Sequence, residues 1–281
     1  MRSARGEGAP EALAWLGASP ATTALLTDFD GTLSAVVARP PDARPLPGAV
    51  LTLKRLAKRL MVVAVVSGRE AEWLVGQLDL GDPPAADGGG SVRVYGLHGL
   101  QRTKGGTIEL EPAVVEWAEP LAEAARLARA EGLVGVEVED KGFGVTLHWR
   151  NAPDLAAAEA QAVACAKRIA SELRLSSRLG RASIELVAPV GIDKGTIVQR
   201  FGDGDGPRRV AFIGDDVSDL LAFAAIDSLT AAGLEGLKIA VGSSEAPPSL
   251  LDSADVILAG PEAAVRLLTD LADALDESPL A

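Results

Sequence analysis

Thr23-Ala24-Leu25-Leu26-Thr27-Asp28-Phe29-Asp30-Gly31-Thr32 is the stretch that decides the fold. Its first five residues read as a strand buried on both faces, the habit of a parallel sheet. Two carboxylates, Asp28 and Asp30, stand where that strand stops. In open α/β sheets ligands bind at the carboxyl ends of the strands. Two acids one residue apart, followed by a Gly turn and a hydroxyl, suit a divalent cation and a phosphate. A carboxylate so placed can attack a phosphate ester and divide one hard hydrolysis into two easier displacements. A lone Asp before Gly would suit a helix N-cap or an Asx-turn, but the paired acids favour catalysis.

Further apolar runs at Met61–Val66, Val92–Leu97, Arg209–Ile213, Lys238–Val241 and Asp255–Leu258 join Ala24–Thr27 and alternate with helical patterns. That alternation predicts a parallel α/β sheet. A Pro-rich loop, Arg39 to Pro47, leads into a helix over Gly48 to Arg59, and a second helix is expected after Arg69 through Gln77. Gly81 to Gly90 reads as a surface loop. The segment before Ala21 reads as a short helix without a functional signal.

The middle of the chain follows another rule. Glu116 to Ala130 is helical, Val134–Glu139 and Phe143–Arg150 form two strands around Asp140-Lys141-Gly142, Leu155 to Leu173 is a second helix, and Ser183–Val187 is a further strand. The fold class expected is therefore α/β: a Rossmann-like parallel-sheet core over 1–101 and 189–281, with a smaller α+β domain inserted at 102–188.

A chain of 281 residues, 48% of them hydrophobic, is long enough for such a core and insertion. The net charge of −12 argues against a nucleic-acid binder or a protein held on anionic membranes. No apolar segment reaches the roughly 20 residues of a membrane span. Met1 to Glu7 has no continuous apolar run of the secretory kind, so a cytoplasmic protein, monomeric, is expected. The single Cys165 lies in an Ala-rich segment and reads as a small buried hydrophobe.

Three more strand ends or turns carry polar groups complementary to the first. Ser67-Gly68-Arg69 offers a hydroxyl and exposed backbone N–H groups at a helix start, a phosphate cradle. Gly191-Ile192-Asp193-Lys194-Gly195 puts a lysine at a helix start, where the macrodipole disfavours it unless an anion compensates. Gly214-Asp215-Asp216-Val217-Ser218-Asp219 crowds acids whose repulsion a cation would relieve, and oxygen ligands with a phosphate point to Mg²⁺.

Together, in this order, these motifs resemble those of the haloacid dehalogenase superfamily of phosphatases. The resemblance implies that Asp28 is the nucleophile and Asp30 the general acid/base, and that Ser67 and Lys194 grip the transferring phosphoryl group. It implies Mg²⁺ held by Asp28, the Asp30 carbonyl and Asp215, with Asp216 close by. An acid at the second position of the first motif is similar to the phosphatase branch rather than the ion-pump branch.

The inserted block narrows the substrate. By strand alternation His148 and Arg150 share a face with Thr146, and carboxylates and lysines are good partners for sugar hydroxyls. Glu139-Asp140-Lys141 and His148-Trp149-Arg150 resemble the E-x-K…H-[YW]-R pattern in the C2-type cap of trehalose-6-phosphate phosphatases. Gly96-Leu97-His98-Gly99 resembles that family's G-x-H-G turn, and Glu185 ahead of Pro189 to Gly195 its last cap strand. The resemblance implies that Glu139, Lys141 and Glu185 bind sugar hydroxyls, with Arg69 and His98 as further substrate contacts. It implies a Mg²⁺-dependent phosphoric monoester hydrolase acting on trehalose 6-phosphate in trehalose biosynthesis, with a trehalose-phosphate synthase as candidate partner. Two positions depart: Leu220 stands where the family has an acid, and Val187-Ala188 where it often has Arg-Pro. Glucosylglycerol phosphate or sucrose phosphate are therefore rival substrates, a phosphomutase a rival reaction, and a non-catalytic sugar-phosphate-binding relative the rival of another class.

Overall fold

The computed structural model describes residues 8–81, 90–202 and 206–277. The interior of the expected glycine- and proline-rich loop, 82–89, lies outside the described residues.

The strands are β1 (Thr23–Thr27), β2 (Val62–Val66), β3 (Val92–Gly96), β4 (Gln101–Lys104), β5 (Thr107–Leu110), β6 (Glu137–Asp140), β7 (Gly144–His148), β8 (Ser176–Gly180), β9 (Ser183–Val187), β10 (Arg209–Gly214), β11 (Glu235–Gly242) and β12 (Val256–Ala259). The helices are α1 (Ala9–Gly17), α2 (Ala49–Ala57), α3 (Ala71–Gln77), α4 (Ala118–Ala130), α5 (Leu155–Leu173), α6 (Lys194–Gln199), α7 (Asp219–Ala231), α8 (Pro248–Ser253) and α9 (Pro261–Glu277). None among the described residues is long and apolar enough to cross a membrane.

The chain divides into two compact units, Met1–Glu109 with Ile192–Ala281, and Leu110–Gly191. The first holds an eight-stranded sheet in the order β12-β11-β10-β1-β2-β3-β4-β5, parallel from β12 to β3. β1 pairs with both β2 and β10, so the chain winds outward from β1 in one direction and from β10 in the other. The crevice at the carboxyl ends of β1 and β10 is a topological switch point, the preferred ligand site of such sheets.

Strand burial explains the winding. β1, β2 and β10 are buried along their whole length. On one face Leu25, Val63, Val65 and Ile213 pack beneath α1, α2, α3 and α9. On the other, Ala24, Leu26, Ala64 and Phe212 pack beneath α6, α7 and α8.

The division falls beyond the limits of 102 and 188 read from the sequence. β4 and β5, assigned there to the insertion, extend the core sheet, with β4 antiparallel to β3. Their short polar strands carry no apolar run to mark them as sheet.

The second unit is an antiparallel sheet in the order β6-β7-β9-β8. Val145, Leu147, Ile184 and Leu186 point from one face into a core completed by α4 and α5. Cys165 belongs to that core, and burial pushes its thiol pKa up, so it packs as a hydrophobe. β7 ends at His148, which leaves Arg150 beyond the strand. β8 was absent from the expectation, because Ser176-Ser177-Arg178-Leu179-Gly180 lacks the apolar alternation of a half-buried strand.

Candidate active site

The turn after β1 is wound around one carbonyl. Phe29 C=O accepts from the N–H groups of Thr32, Leu33 and Ser34 at 3.3, 2.8 and 3.0 Å, and Asp28 N–H donates to Ile213 C=O at 2.8 Å. The two acids are thereby held by backbone geometry. Gly31 sits at φ +77°, and a Cβ there would lie 2.0 Å from Asp215 Oδ2. Only glycine lets the β10 acid come up against the β1 turn.

Lys194 opens α6, whose N-cap Asp193 accepts from Thr196 N–H at 2.9 Å. This cap sets the lysine at the first helical position, and Lys194 is 1% exposed. Its Nζ lies 3.0 Å from Asp28 Oδ2 and 2.7 Å from Asp219 Oδ1. The other oxygen of Asp219 accepts the backbone N–H groups of Asp215 and Asp216, each at 2.9 Å. Asp219 therefore braces both the lysine and the acidic loop.

The electrostatics follow from burial. Desolvation holds the Asp28 carboxyl well above the usual carboxylate range; Lys194 opposes this, while Asp219, Asp215 and Asp30 add to it. For Lys194, burial works against the charge, but Asp219 and Asp28 outweigh it and raise the ammonium above its ordinary value.

Asp28, Asp215 and Asp219 bring carboxylate oxygens within 4.8 Å of one another. Three acidic side chains face one ammonium here, and a dication would offset the negative charge they carry when deprotonated. Asp28 Oδ1 is buried with no hydrogen-bond partner, the state of an oxygen shaped for a ligand. These residues fit a hard cation. With Asp219 committed to Lys194 and two N–H groups, Asp28 and Asp215 are the carboxylates suited to ligate it. The half-buried Asp216 accepts from Val217 N–H at 2.7 Å through Oδ1.

Ser67 is buried at the end of β2, and its Oγ accepts Arg69 N–H at 3.2 Å, leaving its own O–H to donate. The turn at 96–99 fastens this loop. Leu97 N–H donates to Arg69 C=O and His98 N–H to Ser67 C=O, both at 2.8 Å, with Leu97 and His98 in left-handed conformations at φ 49° and 58°. The His98 ring lies over Gly68, where a Cβ would meet Nε2 at 2.8 Å. Arg69 turns to Asp30: Nε and Nη2 bond the two carboxylate oxygens at 2.8 and 2.7 Å.

In the second unit a polar row crosses the sheet face opposite α4 and α5. Strand register sets Glu139 beside Thr146, Thr146 beside Glu185, and Glu185 beside Arg178. Lys141 Nζ lies 2.9 Å from Glu185 Oε1 and 3.8 Å from Glu139 Oε2. Thr146 Oγ1 donates to Glu185 Oε1 at 3.4 Å, and His148 Nε2 is 2.9 Å from Glu139 Oε2. Glu139, Lys141 and Glu185, distant in sequence, are thus one cluster.

Asp219 joins the strand-end cluster and Arg178 the polar row, and the sequence motifs assign neither a role. Asp219 closes the acidic motif and could have been found as its third carboxylate; Arg178 carried no signal, since β8 itself was unseen. The two departures are packed apolar: Leu220 lies against the core beneath α7, and Val187 and Ala188 are 3% and 2% exposed.

The sequence model of the trehalose-phosphatase family matches residues 26–254. The trehalose-phosphate phosphatase of Mycobacterium avium is 35% identical over 226 residues, covering 78% of this chain and 54% of that protein. The trehalose-phosphate phosphatase of Mycobacterium marinum is 34% identical over 248 residues, 84% of this chain and 59% of that protein. The chain thus spans little more than half the length of these relatives. In fold it is similar to the C-terminal domain of C. albicans trehalose-6-phosphate phosphatase, with a TM-score of 0.78 at 21% identity over 97% of this chain and 99% of that one. With a family match over most of its length, carrying every motif in order, this chain belongs to the trehalose-phosphatase family.

Proposed function

We propose that the protein hydrolyses trehalose 6-phosphate to trehalose and inorganic phosphate, with Mg²⁺ as cofactor. The observation that carries the chemistry is the buried Asp28, one oxygen against Lys194 and the other without a partner. Asp28 and Asp215, with the Asp30 carbonyl, would hold the cation, which when bound neutralises charge on the phosphoryl oxygens and on the acids around them.

The remaining steps belong to the side chains. An oxygen of ionised Asp28 attacks phosphorus and the bond to the sugar oxygen breaks. Asp30 delivers its proton to that oxygen, so trehalose leaves as the neutral alcohol. Asp30 then takes a proton from water, whose oxygen attacks the aspartyl-phosphate; inorganic phosphate departs and the Asp28 carboxylate is restored. Lys194 and the Ser67 hydroxyl offset charge on the transferring group, which is most of what phosphoryl transfer requires.

For the substrate, support comes from the Glu139–Lys141–Glu185 cluster, whose acceptors and donors suit a polyol. The buried Val187-Ala188 pair favours a second reading, a different sugar phosphate, because the basic group common in the family is missing there. Phosphate release from trehalose 6-phosphate, sucrose 6-phosphate, glucosylglycerol phosphate and glucose 6-phosphate, with Mg²⁺ and with EDTA, tests both. Preference for trehalose 6-phosphate and silence in EDTA are expected. Equal rates on all four would overturn the substrate, and full rates in EDTA the cofactor.

A further inference from the structure

Family resemblance counts Arg69 among the substrate contacts, and the geometry points to a different task. We infer that Arg69 is a positioning residue for Asp30, setting the carboxyl that serves as acid and then as base. This rests on the reading of Asp30 given above.

The guanidinium meets Asp30 fork to fork, Nε to Oδ2 at 2.8 Å and Nη2 to Oδ1 at 2.7 Å. Such bidentate pairs fix orientation as well as supplying energy. The fork is itself held on its other sides. Nη1 donates to Pro40 C=O at 2.7 Å, and the guanidinium carbon stands 4.6 Å above the Trp73 ring. Trp73 in turn meets Phe29 edge-on at 5.2 Å. Phe29 is the residue between Asp28 and Asp30, so the arginine, the tryptophan and the acid turn form one braced unit. The backbone of Arg69 is pinned by Leu97 N–H.

Asp30 sits on a turn with its side chain 35% exposed. Without the fork, its carboxyl would rotate among several rotamers. Each carboxylate oxygen offers two acceptor directions. One oxygen can therefore keep its guanidinium N–H while the other meets a leaving oxygen or a water. Placement within tenths of an ångström is what acid–base catalysis needs. Lysine cannot substitute, because an ammonium makes no planar fork.

The test compares kcat/KM on two phosphate esters, since that ratio reads only the steps through leaving-group departure. Trehalose 6-phosphate expels an alcohol and needs the acid; p-nitrophenyl phosphate expels a stable phenolate and needs it little. Arg69→Ala and Arg69→Lys should each lose about 10²-fold on the sugar ester, the scale of general acid–base catalysis, and about 3-fold or less on the aryl ester. In an Asp30→Asn background, Arg69→Ala should cost nothing more, because it acts through a group already gone. A full additional loss in that background would overturn the inference and make Arg69 a direct contact. Equal losses on both esters would also overturn it, leaving a structural brace. If Asp30→Asn itself shows no difference between the esters, it is the acid–base reading of Asp30 that fails.

Discussion

The strand-end cluster of the core and the sheet-face cluster of the insertion both set one lysine between two carboxylates, yet they are held in opposite ways. Lys194 is 1% exposed, and its partner Asp219 is locked by two backbone N–H groups. Lys141 lies between Glu185 and Glu139 on one face of a small sheet, and its contacts with them run side chain to side chain. Burial strengthens charge and forbids rearrangement, which suits a site where phosphorus and oxygen must meet in line. Long side chains bonded to one another can exchange those bonds for bonds to sugar hydroxyls. The proposed division gives chemistry to the cluster locked by the backbone and substrate selection to the one joined through side chains.

The comparison is easiest to break at its extreme. Asp28→Asn should lower turnover by about 10⁴-fold or more on every phosphate ester, the scale on which loss of a nucleophile is felt. The same variant should be more stable in EDTA at neutral pH. The Asp28 carboxyl is raised by burial above its unfolded value, so the folded state binds the proton more tightly and stability falls as pH climbs between the two values. Asparagine removes that cost. A higher Tm for the inactive variant in thermal melts supports this, and a lower one contradicts it.

Asp219→Ala should come next. It strips a buried ammonium of its shorter partner and leaves two N–H groups unmet, so about 3–5 kcal/mol of stability should be lost in urea unfolding. In the insertion, Glu185→Ala removes the acceptor of Lys141 and Thr146, and about a 10- to 100-fold rise in KM is expected for trehalose 6-phosphate. The aryl ester should stay within about 2-fold, because its binding needs no sugar contact. Equal losses on both would erase the division between the clusters. The smallest effect, about 3- to 10-fold on the sugar ester alone, is expected for Arg178→Ala at the end of the polar row, the size of one ordinary hydrogen bond.

Legibility in the sequence follows the same contrast. Asp28, Ser67, Lys194 and Asp215 stand at ends of apolar strands or helix starts, so local patterns locate them and the parallel order brings them together. Asp219 escaped because its task, accepting two N–H groups and a lysine, appears only when α7 is set against β10. The insertion cluster joins Glu139 to Glu185 through strand register, which alternation cannot predict across a long helix. Family resemblance proposes those two, and it does not reach Arg178 on a strand whose one apolar side chain, Leu179, is exposed. The β4–β5 hairpin is not legible as strands either, since β4 is polar and Ile108 and Leu110 alternate with polar residues over only the four positions of β5.

Acid-quenched protein taken during turnover of trehalose 6-phosphate, digested and weighed by mass spectrometry, tests the central assignment most directly. One added phosphoryl group on the peptide holding Asp28 is predicted, with more of it when Asp30→Asn turns over p-nitrophenyl phosphate, whose departure needs little acid while water lacks its base, and none in Asp28→Asn. Turnover with no phosphorylated peptide, or with the group on Ser67, would contradict Asp28 as the nucleophile.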